Sequence, residues 1–282
     1  EKNKIMIKYK DSNKAHIGSL EEYNSLYKSS INDSEKFWAS VADRISWYKK
    51  WDNISDIDYS KSHIRWFENA KLNASYNCLD RHVESGHGDD IALIWEGNNP
   101  EEDKTYTYKE LLDEVSRFSN VLKSSNIKKG DRVCLYMQMV PELSIAMLAC
   151  ARIGAVHSIV FGAFSSNSLR DRINDSKCKA LITQDTGVRG IKQDIPMKSN
   201  ADKAIKNCPS IENVFVVRRT GAEVNMEKNR DIWWHKAMKT SSNICDPEWM
   251  DSEDPLFILY TSGSTGTPKG VLHTTGGYMV YA

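Results

Sequence analysis

The chain has 282 residues, and its 38 Lys+Arg residues balance 38 Asp+Glu residues, so the formal net charge is zero. A prior of about 150 residues per domain predicts roughly two domains with a substantial core. The balanced charge gives no electrostatic sign of a nucleic acid or an anionic membrane as partner. A hydrophobic fraction of 40% indicates a folded chain and excludes a disordered one.

Local sequence disfavours three further classes. The most apolar stretch, residues 143–164, is interrupted by Arg152, Gly154 and His157, which indicates a buried helix followed by a buried strand. Residues 1–17 contain no continuous apolar core, which disfavours a secretory signal. The 6 cysteines occur without a Cys-x-x-Cys pair. We therefore expect reduced thiols, a cytoplasmic protein and no metal ligands.

Residues 1–80 have the pattern of a helical N-terminal extension. Residues 19–22, SLEE, predict a capping box at the start of one helix, and a second helical pattern surrounds Trp38. Tryptophans are concentrated here: Trp38, Trp47, Trp51 and Trp66. Such a cluster could bind a ligand, but we favour packing of the large rings against a neighbouring domain.

Residues 81–282 alternate between strand and helix patterns. Helices are predicted after a capping box at residues 107–110, from Pro141 to Ile153, and at residues 169–176 and 201–207. The predicted strands are residues 91–95, 132–137, 156–161, 180–183, 214–217 and 256–260. This alternation predicts an α/β fold, with a largely parallel sheet and helices on both of its faces.

Residues 261–270, TSGSTGTPKG, form the most informative motif, because an apolar strand precedes them directly. Glycines let backbone N–H groups approach a ligand, hydroxyl groups add donors, and Lys269 adds a positive charge, a combination that can hold a polyphosphate. A solvated Ser/Gly linker is the alternative. The P-loop signature fails whether counted from Gly263 or from Gly266, which disfavours a phosphotransferase of that type. Pro268 favours a loop that folds over a ligand instead of winding into a helix.

The motif resembles the phosphate loop of adenylate-forming enzymes, which include acyl-CoA synthetases, peptide-synthetase adenylation domains and luciferases. Residues 271–278, VLHTTGGY, are similar to the AMP-forming acetyl-CoA synthetase branch. So are residues 77–82, 158–165 and 254–260. The resemblance begins near residue 19 and reaches less than half of such an enzyme. It implies that residues 81–282 are the first part of an AMP-binding adenylating domain.

The resemblance implies a ligase that uses acetate, ATP and CoA. Acetate attacks the α-phosphate of ATP to give acetyl-AMP and pyrophosphate, CoA then takes the acetyl group, and Mg²⁺ arrives with ATP. The family's matching loop holds the β- and γ-phosphates, with catalytic roles at Lys269 and Thr261. The implied phosphate-binding residues are Thr261, Ser262, Gly263, Ser264, Thr265, Gly266, Thr267 and Lys269. The oligomeric state stays open.

A second site implied by the resemblance binds CoA. In the family, an Arg-x-Gly-Arg segment and a nearby Phe-Gly-Gly turn meet the 3′-phosphate end of CoA. The matching residues are Phe161, Gly162, Ala163, Arg189, Gly190, Ile191 and Lys192. Lys192 stands where arginine is usual and offers a point charge without a planar fork. The alternative is that both cations are solvated surface charges.

His157, His273 and residues 80–82 could suggest catalysis or a metal site. Adenylation needs no protein base because acetate is already ionised, so we expect both histidines to be structural. We expect residues 80–82, DRH, to pack between the helical extension and the α/β domain.

Two rival functions stay open: a propionyl-CoA synthetase, and a truncated, non-catalytic module that binds CoA or a nucleotide. The family's acyl pocket and its C-terminal lysine would lie beyond Ala282. Because catalytic groups act as a unit, we expect residues 1–282 alone to form no acetyl-AMP.

Overall fold

The computed structural model describes residues 15–263, 266 and 268–282. Its α-helices are α1 (Leu20–Asn32), α2 (Ser34–Ala42), α3 (Tyr108–Ser124), α4 (Pro141–Arg152), α5 (Ser166–Ser176), α6 (Met197–Ile205), α7 (Trp234–Lys239) and α8 (Thr275–Tyr281). Short π-helical segments lie at Tyr76–Asp80 and Val83–His87, and single 3-10 turns at Tyr59–Lys61 and Pro100–Glu102.

The strands supply one large sheet and several two-stranded ones. They are β1 (Asn53–Asp58), β2 (His63–Glu68), β3 (Lys71–Leu72), β4 (Ile91–Trp95), β5 (Lys104–Thr107), β6 (Arg132–Met137), β7 (Val156–Phe161), β8 (Ala180–Gln184), β9 (Gly187–Arg189), β10 (Lys192–Ile195), β11 (Asn213–Val217), β12 (Asp231–Trp233), β13 (Met250–Asp251), β14 (Pro255–Thr261) and β15 (Lys269–Thr274).

The large sheet has seven strands in the order β12-β11-β8-β6-β7-β14-β15. Every neighbouring pair is parallel except β14 and β15, which are antiparallel. Strands β6 and β7 have the bounds that the sequence predicts, and β8, β11 and β14 extend the predicted strands by a residue at one or both ends. The predicted α/β fold with a largely parallel sheet is confirmed.

Helices cover both faces of this sheet, because alternate side chains of each buried strand point to opposite faces. From β6, Leu135 enters a core with α3 and α4, while Tyr136 enters a second core with α5 and α6. On the first face, Phe118 of α3 stacks on Trp234 with ring centroids 3.6 Å apart. The central strands β6, β7 and β8 are therefore buried on both faces.

The two predicted capping boxes form to different degrees. At α3 the box is complete: Thr107 Oγ1 accepts the Glu110 N–H at 3.2 Å, and the Glu110 carboxylate accepts the Thr107 N–H at 2.9 Å. At α1, Ser19 Oγ accepts the Glu22 N–H at 3.0 Å, but the Glu22 carboxylate accepts the N–H of Gly18 instead. Both helices begin where the sequence predicts.

Residues before 81 are less helical than the sequence predicts. After α2 the chain forms an antiparallel hairpin from β1 and β2. The prediction missed it because the apolar residues do not alternate: Ile54 and Ile57 of β1 are three positions apart, and Trp66 and Phe67 of β2 are adjacent. Strand β4 forms as predicted, but it pairs antiparallel with β5 outside the large sheet, since the close sequence neighbour wins over the distant parallel partner.

The N-terminal tryptophans pack together, as expected. Trp47 lies 5.2 Å from Trp51 and 5.4 Å from Phe67, measured between ring centroids. Trp38 meets Trp66 edge-on at 6.2 Å. Val280 of α8 is buried in the same cluster, so these rings attach the N-terminal section to the end of the described chain.

A buried ion pair also joins this section to the sheet. The Arg152 guanidinium, at the end of α4, contacts both carboxylate oxygens of Asp80 at 2.8 Å. Arg81 Nη1 donates to the carbonyl of Arg44 at 3.0 Å, and the His82 ring packs on Tyr108. Residues 80–82 thus lie between the two parts of the chain, which confirms the expectation.

We expect Asp80→Asn to lower the free energy of unfolding by about 3 kcal/mol, because it leaves a buried guanidinium without its counter-charge. The side chains of Arg152 and Asp80 are only 5% and 13% exposed. The measurement is urea denaturation at neutral pH. Asp43→Asn is the matched control: it breaks an exposed pair with Lys50 and should cost less than about 1 kcal/mol. Equal costs for the two variants would contradict a structural role for the Arg152 pair.

Candidate ligand-binding site

The carboxyl ends of the parallel strands meet at one edge of the sheet. Strand β6 is followed in sequence by β7 on one side and by β8 on its other side, so the strand order reverses at β6. In open α/β sheets, ligands bind outside the carboxyl ends of the strands near such a reversal. The topology therefore predicts that a ligand binds at the loops that follow β6, β7, β8, β11 and β14.

A cavity of about 470 Å³ lies at this edge. The loops after β6, β7, β8 and β11 all contribute to its lining, together with the segment after β4. Most of the residues that the resemblance implies for CoA line it: Phe161, Gly162, Ala163, Arg189 and Gly190. Two turns that are distant in sequence thus face a common space.

Arg189 lies at the end of a short hairpin formed by β9 and β10. It pairs across the hairpin with Lys192, and Gly190 makes the turn with φ +56°, a value that favours glycine. Ile191 at the tip is 99% exposed, and neither Ile191 nor Lys192 lines the cavity. Within the described residues Arg189 has no ion pair, so its charge is available to an anion.

A second arginine, Arg219, also lines the cavity. Its guanidinium pairs with the Glu102 carboxylate at 2.6 Å and lies 5.3 Å from the centre of the Trp95 ring. This contact lowers the pKa of Glu102. The buried Asp185 carboxylate holds the loop by accepting the N–H groups of Arg219 at 2.9 Å and Gly221 at 2.8 Å. Because Arg219 lies two residues after the end of strand β11, the strand-end rule could have found it.

The loop that carries the predicted phosphate-binding motif joins β14 to β15 at the same edge. Thr261 ends β14 and pairs with Lys269, the first residue of β15, so the two implied catalytic residues lie side by side. Gly263 and Gly266 have φ of +57° and +78°, and Ser262 is exposed. Ser264, Thr265 and Thr267 lie outside the described residues. A strand follows Pro268, which agrees with a loop that does not wind into a helix.

Arg172 connects the strand before this loop to the turn after β7. Its guanidinium lies 4.7 Å from the ring centre of Phe164, next to the CoA-type turn, and 5.4 Å from that of Tyr260. The Tyr260 hydroxyl donates to the Asp175 carboxylate at 2.6 Å, and burial raises the pKa of that hydroxyl. Arg172 therefore links the end of strand β14 to the turn after β7.

The two histidines pack against Phe257. The His157 and His273 rings lie 5.4 Å and 4.4 Å from the Phe257 ring. His157 is 4% exposed and lines a separate, mainly apolar cavity of about 380 Å³. Its Nδ1 has no hydrogen-bond partner in the described part of the chain. These surroundings suit a structural role.

The chain matches the sequence profiles of two known protein families. Residues 79–282 match the sequence profile of the family described as AMP-binding enzyme. The chain belongs to this family. Residues 23–78 match a second profile, the acetyl-coenzyme A synthetase N-terminus.

Curated relatives resemble the chain over nearly its whole length. The acetyl-coenzyme A synthetase of Magnetococcus marinus is 57% identical over 93% of this chain, which corresponds to 40% of the relative. That of Vibrio vulnificus is 52% identical over 97% of this chain and 42% of its own length. The chain thus spans about 40% of the length of the relatives that it matches.

A solved structure supports the same fold. The acetoacetyl-CoA synthetase from Streptomyces lividans superposes with a TM-score of 0.81, covering 92% of this chain and 39% of that one at 23% identity. Among the described residues, no helix is long and apolar enough to cross a membrane. The same part of the chain contains no cluster of His, Cys, Asp and Glu side chains able to hold a metal ion.

The buried histidine makes stability depend on pH. Burial lowers the pKa of His157 from 6.5 to about 4. Between pH 6.5 and pH 4 this imidazole is therefore protonated in the unfolded chain but neutral in the folded protein. We expect acidification through this range to lower the free energy of unfolding by up to about 3 kcal/mol through this residue. Urea denaturation between pH 7 and pH 4 should show a weaker pH dependence for His157→Phe. A matched change at the exposed His16 should leave the pH dependence as it is, and the same slope for all three proteins would contradict the assignment.

Proposed function

We propose that the protein containing this chain is an AMP-forming acetate–CoA ligase. The observation that carries the proposal is the common edge of the sheet: a phosphate loop after β14 and a CoA-type cavity after β6, β7 and β8 lie at the same end of neighbouring strands. The names of the relatives favour acetate over propionate as the acid. A cytoplasmic location and the division into an extension, residues 1–80, and an adenylating part, residues 81–282, belong to the proposal.

The proposed reaction has two displacements. A carboxylate oxygen of acetate bonds to the α-phosphorus of ATP while the bond to pyrophosphate breaks. The sulfur of CoA, after losing its proton, then bonds to the acetyl carbon while the bond to AMP breaks. Mg²⁺ enters as part of the ATP substrate. In this scheme Lys269 and the loop's N–H and hydroxyl groups stabilise the charge that develops on pyrophosphate.

We expect Lys269→Ala to slow adenylation by roughly 10- to 1,000-fold in the full-length protein, the range for loss of one preorganised charge-stabilising donor. The measurement is acetate-dependent exchange between ATP and pyrophosphate. Thiolysis of supplied acetyl-AMP should change little, because the leaving group has already departed.

The control is Lys239→Ala, which removes an exposed lysine at the end of α7 and should leave exchange unchanged. If Lys269→Ala lowers the rates of pyrophosphate exchange and of thiolysis by the same factor, the variant has a folding defect and the role assigned to Lys269 is contradicted.

We expect Arg189→Ala to raise the KM for CoA by roughly 10- to 150-fold, because a charge-assisted contact with the 3′-phosphate is lost. Pyrophosphate exchange should stay near that of the unmodified protein, since CoA takes no part in it. Steady-state rates with CoA and with 3′-dephospho-CoA provide the measurement.

Lys192→Ala is the comparison variant. Lys192 lies outside the cavity lining, so the expected rise in KM is smaller than for Arg189→Ala. If Arg189→Ala raises the KM for CoA and for 3′-dephospho-CoA by the same factor, Arg189 does not contact the 3′-phosphate.

A further inference from the structure

Asn98 holds the turn that carries Arg189. Its Nδ2 donates to the Gly190 carbonyl at 3.1 Å, and its Oδ1 accepts the Gly190 N–H at 2.8 Å. One side-chain amide thus satisfies both backbone groups of a residue 92 positions away. It does what a third strand would do for this hairpin.

The hairpin needs such a partner. Strands β9 and β10 form a two-stranded sheet of their own, and their register shifts between Lys192 and Ile195. Isolated two-stranded hairpins are marginally stable in water.

Two side-chain amides tie this hairpin to the body of the protein. Gln138 holds Val188, before Arg189, by accepting its N–H at 2.9 Å and donating to its carbonyl at 3.2 Å, and Asn98 holds Gly190, after Arg189, in the same way. If the Gly190 side were released, the backbone of Arg189 would sample more positions, and ordering it would weaken the binding of an anion.

Asn98 is itself held firmly. The Glu102 carboxylate accepts the Asn98 N–H at 3.1 Å, and the same carboxylate pairs with Arg219. A Cβ atom on Gly97 would lie 2.4 Å from the Cβ of Glu102, so this close approach requires glycine. Hydrogen bonds therefore connect Arg219 through Glu102 and Asn98 to Gly190, and both Arg219 and Gly190 line the cavity.

We propose that Asn98 is a positioning residue for CoA recognition: by fixing the Gly190 backbone it holds Arg189 where the 3′-phosphate of CoA binds. The inference rests on the proposed function of the cavity. Asn98 also lines the cavity, but both polar atoms of its amide are engaged by Gly190, so its proposed effect passes through Arg189.

The test compares CoA with 3′-dephospho-CoA in the full-length protein. We expect Asn98→Ala to raise the KM for CoA about 10-fold, which corresponds to the loss of two ordinary hydrogen bonds. The KM for 3′-dephospho-CoA should change less than about 2-fold, and kcat and pyrophosphate exchange should persist. In an Arg189→Ala background, Asn98→Ala should add almost nothing, because both changes remove the same contact.

Two further variants make the result specific. Asn98→Gln keeps an uncharged amide donor and acceptor and should give a smaller rise in KM than Asn98→Ala; it also decides the matter if Asn98→Ala fails to fold. Asn99→Ala removes the neighbouring side chain, which makes no hydrogen bond among the described residues, and should leave the KM unchanged.

The outcomes separate the inference from the proposed function. If the unmodified protein does not distinguish CoA from 3′-dephospho-CoA, the assignment of the cavity to CoA fails. If it does distinguish them and Asn98→Ala behaves like the unmodified protein, only the role of Asn98 is overturned. The role of Asn98 is likewise overturned if Asn98→Ala raises the KM for both forms of CoA equally. It is also overturned if the effects of Asn98→Ala and Arg189→Ala on the KM for CoA are additive in the double variant.

Discussion

Parallel pairing of β6 with both β7 and β8 constrains every other part of the binding edge. Strands buried on both faces carry mainly apolar side chains, because an unpaired polar group in the interior costs free energy, and the buried polar atoms of His157, Ser158 and Thr183 are exceptions. Polar chemistry is therefore displaced to the loops beyond the strand ends. Since the strands run in the same direction, those loops gather at one edge, and the cavity and the phosphate loop lie there together.

Charge pairing gives the two cavity arginines different properties. Arg219 is neutralised by Glu102 and lies against Trp95, so it serves as a fixed part of the wall. Arg189 has no ion pair among residues 15–263, 266 and 268–282. An anion can therefore bind Arg189 without displacing a carboxylate, whereas at Arg219 it would compete with Glu102. The buried Asp185 carboxylate needs no cation, because backbone N–H groups of its own loop and of the Arg219 loop satisfy it.

The N-terminal section attaches at the other end of α4. This helix begins at Pro141, beside the cavity, and ends at Arg152, where the guanidinium meets Asp80. A cation at a helix C-terminus is favoured by the helix dipole, and a bidentate carboxylate compensates its burial. The aromatic cluster then fixes the section against α8. Docking there leaves the carboxyl edge of the sheet open to ligands.

The sequence by itself determined the elements whose signals are local. Strands β6 and β7 are apolar runs, α4 is bounded by Pro141 and Gly154, and the phosphate loop is a contiguous motif, so each could be predicted without knowing its neighbours. The β1–β2 hairpin has no such local signal, because its apolar residues do not alternate. Nor does Asn98, whose two bonds to Gly190 exist only because the segment after β4 and the turn after β9 come together in the fold. Tertiary structure alone decided that contact, since a hydrogen bond depends on the distance between atoms, and chain positions 92 apart do not specify it.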